Sequence, residues 1–245
     1  MTEPLRTAHE RGVAVLTLDD HPRRNALSRS LVSALTEALH KADGDGDVRA
    51  VVLTHSGSTF SAGADLKDPP APDAVLALLR LLLELDKPVV ARVTGHARAG
   101  GLGLLGACDI AVAGPEATFA FTEVRLGVAP ALISLPLLPR LDARAASRYW
   151  LTGERFDAPE AARIGLLTAA AQDVDAALAP VLDGLRKAAP QALRATKQLV
   201  NARVLEAFGS GGDAMAALTA RLFGSAEARE GMAAFMERRD PAWVR

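Results

Sequence analysis

Two stretches of the chain place an Ala-Gly pair at the start of a turn or short helix. One is Phe60-Ser-Ala-Gly-Ala-Asp-Leu66. The other lies within Val93-Thr-Gly-His-Ala-Arg-Ala-Gly-Gly-Leu-Gly-Leu-Leu-Gly-Ala-Cys-Asp109. The second stretch carries Gly95, Gly100, Gly101, Gly103 and Gly106, and glycine lets backbone approach a ligand closely at a cost inside regular structure. A helix start leaves N–H groups unpaired and carries partial positive charge, which suits a developing anion. Two such N–H groups facing one another, each about 3 Å from the oxygen, would hold a thioester carbonyl as it becomes an enolate. The competing reading is packing: small residues that merely let helices come close.

A nucleotide site is the obvious rival. Gly101-Leu-Gly-Leu-Leu-Gly106 fits G-x-G-x-x-G, and Glu123 follows Gly103 at the distance of the usual acidic partner. In that fold a full helix separates the glycines from the next strand. Here only Ala107-Cys-Asp109 precedes the apolar run at Ile110, so the glycines sit inside a short helix and a nucleotide cofactor is not expected. His9, His21, His40 and His55 form no metal-ligand spacing. Ser61 and Ser134 are outside any G-x-S-x-G, which argues against a hydrolytic serine. The single cysteine, Cys108, excludes an internal disulfide and reads as an inert buried thiol.

The elements that must position these groups follow a βαβ pattern. Val13–Leu18 reads as a strand, Ser28 as the N-cap of a helix through Asp43, and Val48–Thr54 as a second strand. Leu31, Leu35 and Leu39 recur at helical spacing on one face of that helix. Asp73 is expected to cap a Leu-rich helix through Asp86. Pro88 opens a third strand, Ile110–Ala113 is a fourth and Ala117–Phe121 a fifth. Thr122–Gly127 turns away from the last. Helical patterns then run over about 142–151, 158–164, 173–188, 191–207, 213–223 and 226–239, with Gly209-Ser-Gly-Gly212 expected to separate two helices. This argues an α/β fold, with residues 1–190 as the core and 191–245 as a helical region suited to oligomerisation. A net charge of −1 without basic blocks gives no reason to expect nucleic acid or a membrane surface. The N-terminus lacks a signal-peptide pattern, and the longest apolar run, from Ala77 to Leu85, is too short to span a bilayer. A soluble cytoplasmic protein is the expectation.

The two glycine stretches, Asn25-Ala-Leu-Ser28, Leu151-Thr-Gly-Glu-Arg-Phe-Asp-Ala-Pro-Glu-Ala-Ala-Arg-Ile-Gly-Leu-Leu167 and the ending Glu230-Gly-Met-Ala-Ala-Phe-Met-Glu-Arg-Arg-Asp-Pro-Ala-Trp243 together resemble the enoyl-CoA hydratase/isomerase (crotonase) family over nearly the whole chain. The resemblance implies a crotonase-type spiral of ββα turns with a C-terminal helical trimerisation region, and a homotrimer or dimer of trimers. It implies acyl-CoA thioesters as substrates, with CoA entering as part of the substrate and no metal or redox cofactor. By motif, the oxyanion donors fall on the backbone N–H of Ala64 and of Gly100. Ala64, Asp65, Leu66 and Lys67 would line the thioester and pantetheine end. The backbone around Arg24 and Ala26 would approach the CoA nucleotide.

The family's hydratases use two glutamates. One corresponds to Glu123, the expected acid/base. A lone Glu before Val-Arg would otherwise read as a surface ion pair, with Arg125 the obvious partner. The second glutamate position holds Gly103. One carboxylate suffices for a 1,3-proton shift, so double-bond isomerisation is the chemistry that survives most easily. The run Thr122–Ser134, with Gly101–Leu104, also resembles a hydratase subgroup that lacks the second glutamate, so hydration stays open. Hydration there would rest on Glu123 plus another water-positioning group; His96 and Arg98 are nearby in sequence, and a structural or CoA-proximal role is expected for His96. Two further readings stand beside these: an acyl-CoA-binding homologue with impaired catalysis, and a thioester hydrolase using Ser61 or Ser134.

Overall fold

The computed structural model describes residues 3–245. It begins with an antiparallel hairpin, β1 (Leu5–Glu10) and β2 (Val13–Leu18). The helix α1 (Arg29–Gly44) follows, capped by Ser28, whose Oγ accepts the N–H of Leu31 at 3.2 Å. Next come β3 (Ala50–His55), β4 (Thr59–Ser61) and α2 (Pro72–Glu84), then β5 (Val89–Val93), β6 (His96–Arg98) and α3 (Gly100–Ala107). A third strand pair, β7 (Ile110–Ala113) and β8 (Thr118–Ala120), leads into a short 3-10 turn over Glu123–Leu126. The rest of the chain is α4 (Ala131–Leu137), α5 (Ala143–Thr152), β9 (Phe156–Asp157), α6 (Ala158–Arg163), β10 (Ala169–Ala170), α7 (Val174–Lys187), α8 (Pro190–Phe223) and α9 (Ala226–Glu237).

The strands sort into two sheets, ordered β1-β2-β3-β5-β7-β10 and β4-β6-β8-β9. After the β1-β2 hairpin, which lies in the first sheet, the β3-β4-α2 and β5-β6-α3 repeats each lay one strand on each sheet before the helix returns the chain, which gives a spiral of ββα turns. Pairing is parallel except between β1 and β2 and between β8 and β9. β3 is buried along its whole length because both faces of its sheet are covered. Val51 and Leu53 point into the main core, while Val52 joins Val90, Val112, Val174 and Leu178 in a smaller cluster under α7. Leu31, Leu35 and Leu39 are fully buried, as their spacing predicts. Among the described residues no helix is long and apolar enough to cross a membrane.

Four details differ from the sequence reading. β1 was not apparent, because all its residues but Leu5 are exposed on a sheet edge. α4 was not apparent either, with Pro136 inside it. The N-cap of α2 is Ala71 with Pro72 in the first turn, and Asp73 lies inside that turn without capping it. The expected break at Gly209–Gly212 does not occur, since α8 is one helix of 34 residues. Glycine in a helix costs about 1 kcal/mol relative to alanine, and here packing offsets it. A Cβ on Gly211 would lie 3.4 Å from Leu135 and one on Gly212 3.5 Å from Leu76, ordinary contact distances, so this stretch packs on α4 and α2 without requiring glycine there. α8 is also fixed by polar contacts. Lys197 Nζ lies 2.9 Å from Asp109 and donates to the carbonyls of Leu82 and Lys87, while Asn201 donates to Asp109 at 2.8 Å.

Candidate active site

The spiral brings the two Ala-Gly stretches into backbone contact. Gly63 has φ 92°, and a Cβ there would lie 2.9 Å from the Ala99 Cβ and 3.3 Å from the Gly100 nitrogen. A Cβ on Gly100 would in turn lie 3.8 Å from the Ala64 nitrogen. Ala64 is held by a bridge to Leu27: the N–H of Leu27 donates to the Gly63 carbonyl at 2.7 Å, and that of Asp65 to the Leu27 carbonyl at 3.0 Å. Ala99 sits at φ 47° and ψ −121°, a conformation suited to glycine, and caps α3 without a side-chain bond. Such a position costs on the order of 1–3 kcal/mol and persists only where the surroundings enforce it. Here the Ala99 N–H donates to the Ala120 carbonyl at 3.2 Å. Among the described residues the N–H groups of Ala64 and Gly100 have no protein acceptor. Both residues are half-buried between buried neighbours, Gly63 and Gly101.

The other predicted contact residues surround this pair. The Asp65 carboxylate accepts the N–H groups of Lys67 at 2.9 Å and Asp68 at 3.4 Å, and its second oxygen lies 3.4 Å from Arg23. Leu66 is half-buried and Lys67 exposed. The Arg24 carbonyl accepts the N–H of Ala62 at 3.0 Å, which lays the Arg24–Ala26 backbone beside Ala62–Ala64. The Arg24 side chain is exposed, and Ala26 is buried. Sequence reasoning missed the work of Asn25. Its fully buried amide donates to the carbonyls of Ser56 and Thr59, and its oxygen accepts the Asp20 N–H. Asn25 also takes φ 51°, a left-handed value that asparagine tolerates better than most residues. An asparagine between two strand-helix elements was the available signal.

Packing accounts for most of the glycines. A Cβ on Gly95 would lie 2.3 Å from the Ser58 carbonyl oxygen, on Gly101 2.8 Å from that of Ser61, and on Gly106 2.6 Å from Leu137. At Gly103 it would lie 2.5 Å from Ile133 Cγ2 and 3.6 Å from Leu79. The space beside Gly103 is therefore filled by the Ile133 methyl group of α4. Only Gly100 backs onto Ala64.

Glu123 lies three residues beyond β8, whose Ala120 pairs with Arg98 and receives the Ala99 N–H. The register places the end of β8 beside the entrance of α3, and the carboxyl-bearing turn packs on α9 and α5. Glu123 is 8% exposed, and its Oε2 is buried without a hydrogen-bond partner among the described residues. Burial pushes its carboxyl up to about 7, opposed in part by its own backbone N–H. It is not a surface ion pair: Arg125 instead donates to the Thr152 carbonyl at 3.1 Å. A buried carboxyl raised toward neutrality can both take and give a proton at physiological pH.

The remaining candidates have structural partners. His96 Nδ1 lies 3.0 Å from Thr118 Oγ1, and Arg98 donates to the same oxygen and to the Ala97 and Thr118 carbonyls. Burial and the nearby Arg155 hold the Arg98 guanidinium down at about 10. Ser61 Oγ accepts the Gly63 N–H, Ser134 Oγ donates to the Ala131 carbonyl, and among the described residues neither hydroxyl bonds a histidine. Burial pushes the Cys108 thiol up to about 12, as an inert thiol requires.

The ββα spiral, with a short glycine-rich helix entering beside a second loop, defines a protein of the crotonase fold class. The chain belongs to the enoyl-CoA hydratase/isomerase family, whose family model matches residues 8–245. The chain is 50% identical to an enoyl-CoA hydratase from Mycobacterium avium, covers 100% of both chains and superposes with a TM-score of 0.93. A carnitinyl-CoA hydratase from the same organism is 28% identical over 100% of this chain and 99% of its own, with a TM-score of 0.89. A carnitinyl-CoA dehydratase from Salmonella heidelberg is 32% identical over 99% of both chains.

Proposed function

We propose that this protein processes acyl-CoA thioesters through an enolate, with Glu123 as the single acid/base and the N–H groups of Ala64 and Gly100 as the oxyanion hole. The observation that carries the reading is the buried Glu123 carboxyl with one unpartnered oxygen, on the turn that follows the strand receiving the Ala99 N–H at the start of α3. The thioester oxygen would accept both N–H groups. Glu123 would remove an α-proton from a 3-enoyl chain, the C–H electrons would pass onto the thioester oxygen as a dienolate, and the same proton would return at the γ-carbon as the double bond moves to the 2-position. The result is a 2-enoyl thioester with no net gain or loss of atoms. The exposed Arg24 and Lys67 side chains and the Arg24–Ala26 backbone suit the CoA end.

Double-bond isomerisation is the reaction this geometry supports best, because Ile133 fills the space beside Gly103 where a second carboxylate would stand. Hydration is the second reading, favoured by the hydratase names of the similar proteins above. A panel of acyl-CoA thioesters tests both, scored for isomerisation of a 3-enoyl-CoA, hydration of crotonyl-CoA and release of free CoA. The expected result is isomerisation as the fastest reaction. Faster hydration would favour the second reading. CoA-ester binding without turnover would leave only the binding homologue. The exposed Leu199, Val200, Phe235 and Met236 of α8 and α9 support residues 191–245 as an assembly surface, with a homotrimer or dimer of trimers expected in sedimentation.

A further inference from the structure

The C-terminal motif Glu230–Trp243 takes no part in the site described so far, yet it touches the turn that carries Glu123. A Cβ on Gly231 would lie 2.5 Å from the Leu126 carbonyl carbon and 2.6 Å from its oxygen. A Cβ on Gly127 would lie 2.6 Å from the Glu227 carbonyl carbon and 2.8 Å from the Ala228 nitrogen. Residues 227 and 231 share one face of α9, so helix and turn meet backbone to backbone with no side chain between them. Gly127 closes the turn at φ 73°, and the next N–H, that of Val128, donates to the Glu123 carbonyl at 3.1 Å.

Both ends of this seat are fixed. On the far side of the turn, Arg125 is held by the Thr152 carbonyl, and Phe121 packs on Trp150 with ring centres 5.2 Å apart. Beyond the seat, the Glu230 carboxylate accepts Arg239 Nη1 at 2.6 Å, Arg239 Nη2 at 3.0 Å and the Ala242 N–H at 2.8 Å. The motif is thus a clasp that closes on itself and presses Gly231 onto Leu126.

We propose that Gly231 and Gly127 are positioning residues: by letting α9 sit directly on the turn, they fix where the Glu123 carboxyl projects and keep water from it. The proposal rests on the reading of Glu123 as the acid/base. Charged groups on the neighbouring elements, Arg144 of α5 among them, have other partners or are exposed. Arg229 donates to the Gly224 carbonyl, Glu230 holds Arg239, Arg148 pairs with Glu154, and Glu227 is exposed. The seat therefore acts on Glu123 through exclusion of water and geometry rather than through charge.

The test compares Gly231→Ala, Arg239→Gln, Glu123→Gln and the control Gly184→Ala, whose added methyl group meets nothing within 4 Å. Arg239→Gln loosens the clasp without placing an atom in the seat, and it reads the proposal if Gly231→Ala does not fold. Steady-state kinetics use 3-enoyl-CoA and crotonyl-CoA. Isotope-edited infrared difference spectra against Glu123→Gln read the midpoint of the carboxyl directly, independent of turnover. The seat variants are expected to lose about 10- to 100-fold in kcat with KM changed less than about twofold. Their carboxyl midpoint is expected to fall by about one pH unit as water enters, with the control unchanged. A folded seat variant with the parent's kcat and midpoint overturns the proposal. Full turnover in Glu123→Gln would instead overturn the acid/base reading, and a lowered midpoint in the seat variants would still report the clasp.

Discussion

Replacing Glu123 by glutamine should make the protein more stable and less active, and the gain should depend on pH. Burial holds this carboxyl at about 7 in the folded chain, against an ordinary value of 4.5. Below the ordinary value both folded and unfolded chains carry the proton, so the group contributes nothing. Between the two values the folded chain keeps a proton that the unfolded chain has released, and stability falls as pH rises. Above 7 the fold bears the whole cost of an ionised, desolvated carboxylate. At about 1.4 kcal/mol per pH unit, that cost is on the order of 3 kcal/mol. Glutamine does not ionise. Its amide leaves a buried donor without a partner, but that penalty is the same at every pH and cancels when two pH values are compared. The advantage of Glu123→Gln over the parent should therefore grow by roughly 3 kcal/mol between about pH 5 and pH 8, or roughly 6–12 °C in Tm for a chain of this length. Thermal unfolding of both proteins at one fixed concentration, at each pH, measures it. Turnover should fall by about 10²- to 10⁴-fold. An advantage that stays constant or shrinks as pH rises would mean that Glu123 is not desolvated and would remove the physical basis for its role.

Gly103→Glu alone should not create a hydratase. Its Cβ would sit 2.5 Å from Ile133 Cγ2, so urea unfolding should show a loss of roughly 3 kcal/mol or more with no new crotonyl-CoA hydration, and Ile133→Ala in the same chain should recover part of the stability. Lys197→Met should cost about 3–5 kcal/mol, because it strands the buried Asp109 carboxylate. Asp109→Asn in the same chain should recover much of that loss in a double-mutant cycle of unfolding free energies, and strictly additive losses would show that the pair is not coupled.

What the sequence revealed, and what it hid, follows from how local each determinant is. Leu31, Leu35 and Leu39 announce a buried helix face because their spacing alone sets it. Ser28 announces a cap because its hydroxyl reaches only three residues on, to Leu31. The absence of room between Gly106 and Ile110 forces a short helix, and α3 is one. Other features depend on partners far along the chain. Nothing near Gly103 shows that Ile133 will fill its side-chain space. Nothing near Gly231 shows that it will meet Leu126. Gly209–Gly212 reads as a break because local propensity opposes a helix there, and the packing of α8 along α4 and α2 carries the helix through. The burial of Glu123 was equally hidden, since Val124 and Arg125 suggest a surface turn and the cover comes from elements later in the chain.

Close packing and anion binding stand as rival explanations of the glycine segment, but in the proposed site one would be the means of the other. Gly101 presses against the Ser61 carbonyl and Gly63 against Ala99, so the first turn of α3 can approach the Phe60–Leu66 loop without an intervening methyl group. Only that approach brings the Gly100 N–H near that of Ala64. Any side chain at Gly63 or Gly101 would push the two donors apart, and an oxyanion hole works only while both remain within hydrogen-bonding reach of one oxygen. The strain at Ala99 has the same origin, because the chain must turn sharply between the end of β6 and the first residue of α3. Glycines that touch no substrate thus set the spacing of the two N–H groups that would, and Gly103 does the same for Ile133 by admitting the methyl group that leaves Glu123 the lone carboxyl of the proposed reaction.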